Sequence, residues 1–252
     1  MLNIVKDMEF EVSEIKKLTE DSYAVRLSLD NREFTYLPGQ FIMLKFDPLE
    51  ETDDFKVLNG APKIQSRAYS MSSSPLNKSY LEITSKKTTN GFVSDYMLKV
   101  LKSGHIVKVS GPYGKFVLDE NSNIDIFLIG AGSGISPLMS ILRYIIDKKI
   151  NINVTLLFSN KSVKDIIWHE ELVELQEKFN NFKVFFTLTQ NEDDNWKGFT
   201  GRVSADLVKN CVKDIYRQVY YICGPSAMVD ATVKDLKLLN INDSNIKVEK
   251  YD

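Results

Sequence analysis

The chain has 252 residues, with 32 lysines and arginines against 34 aspartates and glutamates, so its formal net charge is −2. At about 150 residues per domain, this length predicts two compact domains that need no cross-links. The balanced charge excludes a strongly basic surface, so we expect no nucleic-acid partner. No apolar run approaches the roughly 18 residues that span a bilayer, and no signal-peptide pattern is present, so we expect a cytoplasmic protein without a membrane span.

The cysteine and histidine content restricts the redox chemistry. Cys211 and Cys223 are the only cysteines, and His105 and His169 are the only histidines. They are too few and too widely spaced for a disulfide framework, a zinc site or a four-cysteine iron–sulfur cluster. We therefore expect no metal site, and any redox chemistry has to use an organic cofactor.

The first half of the chain, up to about residue 118, has apolar residues at alternate positions, as in Tyr23, Val25 and Leu27. A period of two is typical of β-strands. The polar, turn-rich stretch 47–66 is predicted to be a solvated loop. The pattern predicts a small antiparallel barrel of six strands, at 9–17, 22–29, 41–46, 67–72, 80–85 and 105–110.

From residue 119 onward, apolar runs of strand length alternate with segments of helical spacing. This alternation is typical of a parallel sheet covered by helices. We therefore expect a β-barrel domain at 1–118 and a five-stranded α/β domain at 119–252, with a linker at 118–123. The predicted strands are 125–129, 152–158, 183–188, 219–223 and 246–250, and the predicted helices are 136–149, 169–179, 204–212 and 226–239.

The most informative segment runs from Gly130 to Pro137, with the sequence GAGSGISP, and follows a buried strand. Glycines between a strand and a helix allow close approach of the backbone, and NH groups at the helix start can bind a pyrophosphate. Ile135 stands where the G-x-G-x-x-G fingerprint has its third glycine, which disfavours a standard Rossmann dehydrogenase. Taken alone, the segment could also be a structural βα turn, which is the less favoured reading.

Two shorter patterns lie in the barrel half. Arg67 and Tyr69 are two residues apart on a predicted strand, so both side chains lie on one face. A cation for phosphate and an aromatic ring could therefore serve one ligand. The segment from Gly91 to Ser94 precedes a predicted helix at 95–101 and offers a second backbone cradle. Each pattern alone is also common where no ligand binds.

Five motifs occur in a fixed order along the chain, and together they are far more specific than any one of them. In this order and spacing, the sequence resembles the ferredoxin–NAD(P) reductase superfamily over almost its whole length. The resemblance implies a flavin-binding barrel followed by a nicotinamide-nucleotide domain, with the two cofactors meeting at the interface. The motifs are Arg67-x-Tyr69-Ser70, Gly91-x-x-Ser94, Gly111-Pro-Tyr-Gly114-Lys-Phe116, Gly130 to Pro137, and Cys223-Gly-Pro-Ser-Ala-Met228.

For the flavin, the resemblance implies that Arg67 binds the pyrophosphate, Tyr69 packs against the isoalloxazine ring and Ser70 donates toward N5. We expect FAD rather than FMN, because two anion cradles and a long loop at 85–91 suit a dinucleotide. The implied flavin-binding set is Arg67, Tyr69, Ser70, Ile83, Thr84, Ser85, Gly91, Phe92, Val93 and Ser94.

For the nicotinamide nucleotide, the resemblance implies that the glycine-rich segment binds the pyrophosphate and that Cys223 faces the nicotinamide. Cys223 follows an apolar strand, so it lies at a carboxyl end of the sheet, where ligands of open α/β sheets bind. The implied nucleotide-binding set is Gly130, Gly132, Ser133, Gly134, Ile135, Ser136, Pro137, Asp165, Cys223, Gly224, Pro225 and Met228.

The last residues of the chain resemble the acidic residue and near-terminal aromatic of the family. This implies that Glu249 joins Ser70 and Cys223 as the catalytic set, and that Tyr251 covers the second face of the flavin. One residue follows Tyr251, so simple packing at the strand end is an equal alternative.

The residues after the second strand of the α/β domain bear on the choice of nucleotide. Asp165 could accept hydrogen bonds from the adenosine ribose, which favours NADH over NADPH. The alternative is that Ser159, Lys161 and Lys164 receive a 2′-phosphate.

The resemblance implies a flavin-dependent NAD(P)H oxidoreductase that passes electrons singly to a separate protein. We expect an iron–sulfur ferredoxin or an oxygenase component as acceptor, since no cluster-binding cysteines flank the two domains. A quinone, a haem protein or a ferric complex are alternative acceptors. A non-catalytic nucleotide-binding subunit and a flavin-free dehydrogenase are the rival functions, and the oligomeric state is not predicted.

Overall fold

A computed structural model describes residues 4–46, 65–88, 91–120, 122–191 and 193–251. The predicted loop at 47–66 lies almost wholly outside these residues. In the first half, six antiparallel strands form one sheet in the order β4-β3-β6-β1-β2-β5, which confirms the predicted set. They are β1 (Val5–Lys17), β2 (Ser22–Ser28), β3 (Phe41–Phe46), β4 (Gln65–Ser70), β5 (Tyr80–Lys86) and β6 (Ile106–Tyr113).

The first sheet curls so that its two edges meet. An isolated bridge between Met71 and Ile83 connects the segment after β4 to β5. The strands turn alternate apolar side chains inward, as the period of two requires. Helix α1 (Phe92–Lys99) begins three residues earlier than predicted, directly after Gly91, and Tyr96 and Met97 pack against the barrel core.

The second half is a parallel sheet in the order β10-β9-β8-β7-β11-β12. All five predicted strands are present. The structure adds β10 at one edge, and a strand of two residues is too short to give a periodicity signal. The strands are β7 (Asp125–Ala131), β8 (Val154–Asn160), β9 (Phe182–Leu188), β10 (Phe199–Thr200), β11 (Gln218–Pro225) and β12 (Ile246–Tyr251).

The four predicted helices of this half are also present: α2 (Ile135–Asp147), α3 (His169–Lys178), α4 (Ala205–Cys211) and α5 (Ser226–Leu238). From β7 the chain builds outward to β8 and β9, and it then returns to add β11 and β12 on the other side. The topological switch point, where the direction of strand addition reverses, therefore lies between β7 and β11. Ligands of open α/β sheets bind at the carboxyl ends of the strands at such a point.

The two halves pack against each other through apolar side chains. Ala24, Phe116 and Leu118 of the barrel half belong to the same buried cluster as the α2 face of the parallel sheet. The Tyr221 ring packs edge-on to Phe116 at 5.5 Å. Its hydroxyl also donates a hydrogen bond to the Val117 carbonyl at 3.3 Å. Within the described part of the chain, no helix has both the length and the apolar character needed to cross a membrane.

Candidate cofactor-binding and redox site

The register of the parallel sheet aligns three of the sequence motifs. Cys223 on β11 pairs with Gly130 on β7 and, on its other side, with Glu249 on β12. Pro225 pairs with Tyr251 two residues further along. The glycine-rich segment, the Cys-Gly-Pro motif and the end of the chain therefore meet at the carboxyl edge of the sheet.

The glycine-rich segment passes very close to the end of β11. A Cβ atom on Gly134 would lie 2.3 Å from the Cys223 carbonyl oxygen, so only glycine fits at this position. The Ser136 hydroxyl donates to the Ser133 carbonyl at 2.9 Å and fixes the turn into α2. The result is a tight cradle whose main-chain NH groups lie at a helix start, as a pyrophosphate site requires.

Two hydrogen bonds join the end of the chain to the barrel. The Tyr251 hydroxyl donates to Ser70 Oγ at 2.5 Å, and Ser70 Oγ donates to Glu249 Oε2 at 3.3 Å. The Tyr251 phenol also interacts with the Cys223 thiol. Ser70, Cys223, Glu249 and Tyr251 are thus in one cluster, although Ser70 lies in the other half of the chain.

Burial changes the protonation of this cluster. It raises the pKa of the Glu249 carboxyl to about 7, with the Ser70 hydrogen bond acting in the opposite direction. It also raises the pKa of the Cys223 thiol and of the Tyr251 phenol. Cys223 is therefore a neutral thiol at physiological pH rather than a thiolate nucleophile, whereas Glu249 exchanges a proton near neutrality.

The barrel side of the cluster carries the predicted flavin motif. Arg67 is exposed, and its Nη1 donates a hydrogen bond to the neighbouring Ser66 carbonyl at 2.8 Å. Tyr69 is half-buried, and burial raises the pKa of its phenol. The Ser85 hydroxyl close to Tyr69 is buried without a hydrogen-bond partner of normal geometry among the described residues. A buried hydroxyl beside an aromatic ring and an exposed cation fits a flavin with its phosphate tail.

Other predicted flavin and nucleotide residues turn their side chains away from the cluster. Ile83 and Val93 are buried in the barrel core, and Ile135 is buried under the parallel sheet. Thr84 Oγ1 accepts a hydrogen bond from Trp168 Nε1 at 3.4 Å, and the Ser94 hydroxyl donates to the Gly91 carbonyl at 2.9 Å. These positions can therefore contact a cofactor mainly through their main chain.

A cleft of about 500 Å³ opens beside the glycine cradle. Predicted residues along it are Gly132, Ser133, Pro225, Met228 and Tyr251. Its polar lining residues include Lys86, Ser159, Asn160, Lys161, Thr189 and Arg202. Asn160 is only 7% exposed, and its Nδ2 has no hydrogen-bond partner in the described parts of the chain. A buried donor without an acceptor on the wall of a cleft fits a ligand that supplies the acceptor.

Asp165 does not line this cleft. Its carboxylate accepts hydrogen bonds from Ser162 N at 3.0 Å and from Ser162 Oγ at 2.5 Å. These bonds cap the short 3₁₀ turn Val163–Asp165. Both bonds are accepted by Oδ2, so the carboxylate is engaged by its own turn, and the binding of the adenosine ribose by Asp165 stays a prediction.

Sequence reasoning did not select three residues of the cleft wall. Asn160 ends β8 and Thr189 follows β9, so the strand-end rule that selected Cys223 could have found both. Arg202 follows the two-residue β10, and no periodicity points to it. Lys161 was recognised only as an alternative cation for a phosphate.

Two family models match consecutive parts of the chain. Residues 9–118 match an oxidoreductase FAD-binding domain, and residues 128–234 match an oxidoreductase NAD-binding domain. The chain belongs to the ferredoxin–NAD(P) reductase superfamily. It therefore carries the FAD-binding and NAD-binding domains of a nicotinamide-dependent flavin oxidoreductase, as the ordered motifs imply.

The chain is similar to curated proteins that are longer than it is. It is 25% identical over 250 residues to the phenol hydroxylase P5 protein of Acinetobacter pittii. This match covers 99% of this chain and 67% of that protein. It is 30% identical over 200 residues to the glycine betaine monooxygenase reductase subunit of Pseudomonas aeruginosa, and this match covers 79% of this chain. The match spans only about half of that subunit, 51% of its length.

Solved structures confirm the two-domain fold. The flavohaem-like FAD/NAD-binding domain of nitric oxide dioxygenase from Vibrio cholerae superimposes with a TM-score of 0.84 at 23% identity, over 98% of this chain and 99% of that one. The ferredoxin reductase of carbazole 1,9a-dioxygenase superimposes with a TM-score of 0.82 at 24% identity, over 100% of this chain and 70% of that one. At these identities the likeness describes the fold.

Proposed function

We propose that this chain takes two electrons from NAD(P)H and passes them one at a time to a separate acceptor protein. The observation that carries the proposal is the cluster of Ser70, Cys223, Glu249 and Tyr251, which joins the barrel to the carboxyl edge of the parallel sheet. The flavin domain comprises residues 1–118 and the nucleotide domain residues 119–252.

Each part of the site has a distinct task in this proposal. Bound FAD supplies the chemistry, since it accepts a hydride from a nicotinamide nucleotide and can return single electrons. Arg67 and Ser85 bind the flavin, and the cradle from Gly130 to Pro137 binds the nucleotide pyrophosphate. Cys223 positions the nicotinamide ring as a neutral thiol, and the close approach of Gly134 to the Cys223 carbonyl brings the pyrophosphate cradle next to it.

Ser70 and Glu249 hold a proton beside the reacting atoms. Ser70 Oγ lies between Tyr251 Oη and the Glu249 carboxyl. A carboxyl with a pKa of about 7 can release or accept a proton in this pH range with little cost in free energy. Tyr251 occupies the region where the nicotinamide is expected, so its ring has to move before hydride transfer.

Spectroscopy on the purified protein tests this function. We expect the visible absorbance of a bound flavin and its bleaching on anaerobic addition of NADH or NADPH. A protein that binds flavin but is not bleached by either nucleotide would be the non-catalytic subunit, and a colourless active protein would be the flavin-free dehydrogenase. Either result contradicts the proposal.

The acceptor is proposed from the relatives. Several of them are reductase components or subunits of oxygenases, among them a propane 2-monooxygenase reductase of Gordonia. We therefore favour an iron–sulfur ferredoxin or an oxygenase component. Capture of partners from native lysate, followed by assays of their reduction by this chain and NAD(P)H, identifies the acceptor. Reduction of a quinone, a haem protein or a ferric complex in preference to every captured iron–sulfur protein would reject this choice.

Replacement of Cys223 by alanine should slow hydride transfer and leave flavin binding nearly intact. The thiol is fully buried and neutral, so its expected contribution is to position the nicotinamide. Stopped-flow reduction of the flavin by the nucleotide measures the effect. Cys211→Ala is the matched control, because Cys211 is also buried but lies on α4. Equal reduction rates in the two variants would make Cys223 a packing residue only.

The cations of the cleft should decide how well NADPH is used. Lys161 and Arg202 line the cleft beside the unpartnered Asn160 amide, and a 2′-phosphate there would gain charge-assisted hydrogen bonds. We expect Arg202→Ala and Lys161→Ala to lower kcat/KM for NADPH more than for NADH. Asp165→Thr should leave that ratio unchanged, since Asp165 is bound to Ser162. A shift of the ratio only in the Asp165 variant would restore Asp165 as the ribose-binding residue.

A further inference from the structure

A buried network of ion pairs connects the two halves of the molecule away from the cluster at Ser70. Its centre is the Arg143 side chain, on the middle of α2. Nε and Nη2 of Arg143 bind the two carboxylate oxygens of Glu171, each at 2.7 Å. Nη1 donates to Glu82 Oε1 at 2.6 Å and to the Ser72 carbonyl at 2.7 Å. The guanidinium therefore bridges α3 of the nucleotide half and the β4–β5 region of the barrel.

Glu82 is the barrel residue at the centre of this network. Its side chain is 0% exposed. Oε1 also accepts from Ser72 Oγ at 3.0 Å, and Oε2 accepts from Arg26 Nε at 2.9 Å. Both oxygens of the buried carboxylate are thus paired, as burial of a charge requires. We call Arg143, Glu82, Glu171 and Ser72 the interdomain clasp.

Two neighbouring contacts reinforce the interdomain clasp. The Ser140 hydroxyl, one turn earlier on α2, donates to the Ser73 carbonyl at 2.7 Å. The Trp168 ring lies 4.6 Å from the Arg143 guanidinium carbon, and its Nε1 donates to Thr84 on β5. These contacts fix both the position and the rotation of α2 against the barrel.

The interdomain clasp links the two cofactor sites directly. Helix α2 begins at Ile135, inside the glycine cradle, so a movement of α2 moves the nucleotide pyrophosphate site. On the other side, Ser72 is two residues beyond Ser70, and Glu82 is three residues before Ser85. The network therefore connects the nucleotide cradle to the strands that carry the flavin motif, through side chains that are not part of either site.

A buried ion pair of this kind adds little stability compared with an apolar pair, but its fork geometry defines one arrangement of the two partners. Hydride transfer needs the two domains in one defined arrangement, because a misplacement of the reacting groups by 1 Å can lower the rate about 10²-fold. We infer that the interdomain clasp sets the orientation of the nucleotide domain on the barrel, and that Arg143 is a positioning residue for hydride transfer. This inference rests on the proposed function.

The test compares Arg143→Lys with the wild-type holoenzyme. Lysine keeps the charge beside Glu82 but has no fork to reach Glu171 and Ser72 together. We expect the limiting rate of flavin reduction at saturating NAD(P)H to fall about 10- to 100-fold. The flavin content and the dissociation constant of the nucleotide should stay within about threefold of wild type, because no residue of the interdomain clasp belongs to either predicted cofactor-binding set. An Arg143→Lys variant whose flavin is reduced at the wild-type limiting rate overturns the inference. A variant whose lower reduction rate is explained by a lower flavin content overturns it as well.

A matched control lies on the same helix. Lys148 is also ion-paired, but its partner is Glu120 in the segment between the two domains. We expect Lys148→Met to reduce its flavin at the wild-type rate. An equal fall in both variants would assign the effect to general loosening of α2 and overturn the specific role of Arg143. Should Arg143→Lys fail to fold, Glu171→Gln removes only the outer part of the network, and an unchanged reduction rate in that variant rejects the inference.

A second measurement reports orientation without any turnover. Nitroxide labels on cysteines introduced at Lys102 and Lys234, which are exposed on the barrel and on α5, give the distance between the two halves by pulsed electron paramagnetic resonance. The native Cys211 and Cys223 are buried. We expect a single narrow distance distribution in wild type and Lys148→Met and a broader or shifted one in Arg143→Lys. Identical distributions overturn the inference, whereas a wild-type protein that NAD(P)H does not reduce would instead reject the proposed function.

Discussion

Replacement of Arg67 by alanine is expected to weaken flavin binding more than tenfold. A charge-assisted hydrogen bond to a phosphate contributes about 1.5–3 kcal/mol, and 1.4 kcal/mol corresponds to a tenfold change in affinity. Arg67 is exposed, and its guanidinium donates to the main-chain carbonyl of Ser66. The barrel should therefore fold normally without it. Titration of the apoprotein with FAD, followed by flavin fluorescence, measures the change.

Lys45→Ala is the control for this experiment. Lys45 is a cation on the adjacent strand β3, but it is paired with Asp7 on β1. Its loss should leave the affinity for FAD within about twofold of wild type, because the surface ion pair contributes little to stability and lies outside the flavin motif. An Arg67→Ala protein that binds FAD as tightly as the Lys45→Ala protein would show that Arg67 does not bind the flavin phosphate.

Replacement of Glu249 by glutamine is expected to lower turnover about 10²-fold near neutral pH, the usual scale of a lost general acid–base group. The expected pH dependence follows from the sign of the shift. Burial raises the pKa of this carboxyl from 4.5 to about 7, so the group is protonated below pH 7 and loses its proton above it. Turnover of the wild type should fall as the pH rises through about 7. Glu249→Gln should lack that inflection, and a steady-state pH profile with a one-electron acceptor measures both.

The stability of the same variant separates catalysis from folding. A carboxyl whose folded pKa is raised binds more protons in the native state than in the unfolded state, so its contribution to stability declines as pH rises from 4.5 to about 7. Glutamine has no charge to desolvate, and Glu249→Gln should be at least as stable as wild type at pH 8. A variant that keeps the wild-type inflection would place the titrating group elsewhere.

Much of the fold could be read from local patterns in the sequence. The period of two before residue 118 and the alternation of strands and helices after residue 119 predicted both sheets, because backbone geometry fixes those periods within each segment. The cradle from Gly130 to Pro137 was also visible, since close backbone approach selects glycine whatever the rest of the chain does. β10 was not visible, because two residues carry no period.

The site depended on packing between distant segments. Ser70 and Glu249 are 179 residues apart, and only the family resemblance suggested that they meet. Asp165 matched a local pattern, yet its carboxylate caps its own turn, while Asn160 and Arg202 line the cleft from the ends of other strands.

The amino-acid sequence by itself therefore determined all strands but β10, the helices, the glycine-rich segments and the family of this protein. The tertiary structure alone decided which charged side chains line the cleft beside the glycine-rich segment and that Arg143 pairs with the fully buried carboxylate of Glu82. The physical reason is that the strand order β10-β9-β8-β7-β11-β12 and the docking of α2 on the barrel set these contacts. Neither the strand order nor the docking leaves a periodic or local signal in the chain.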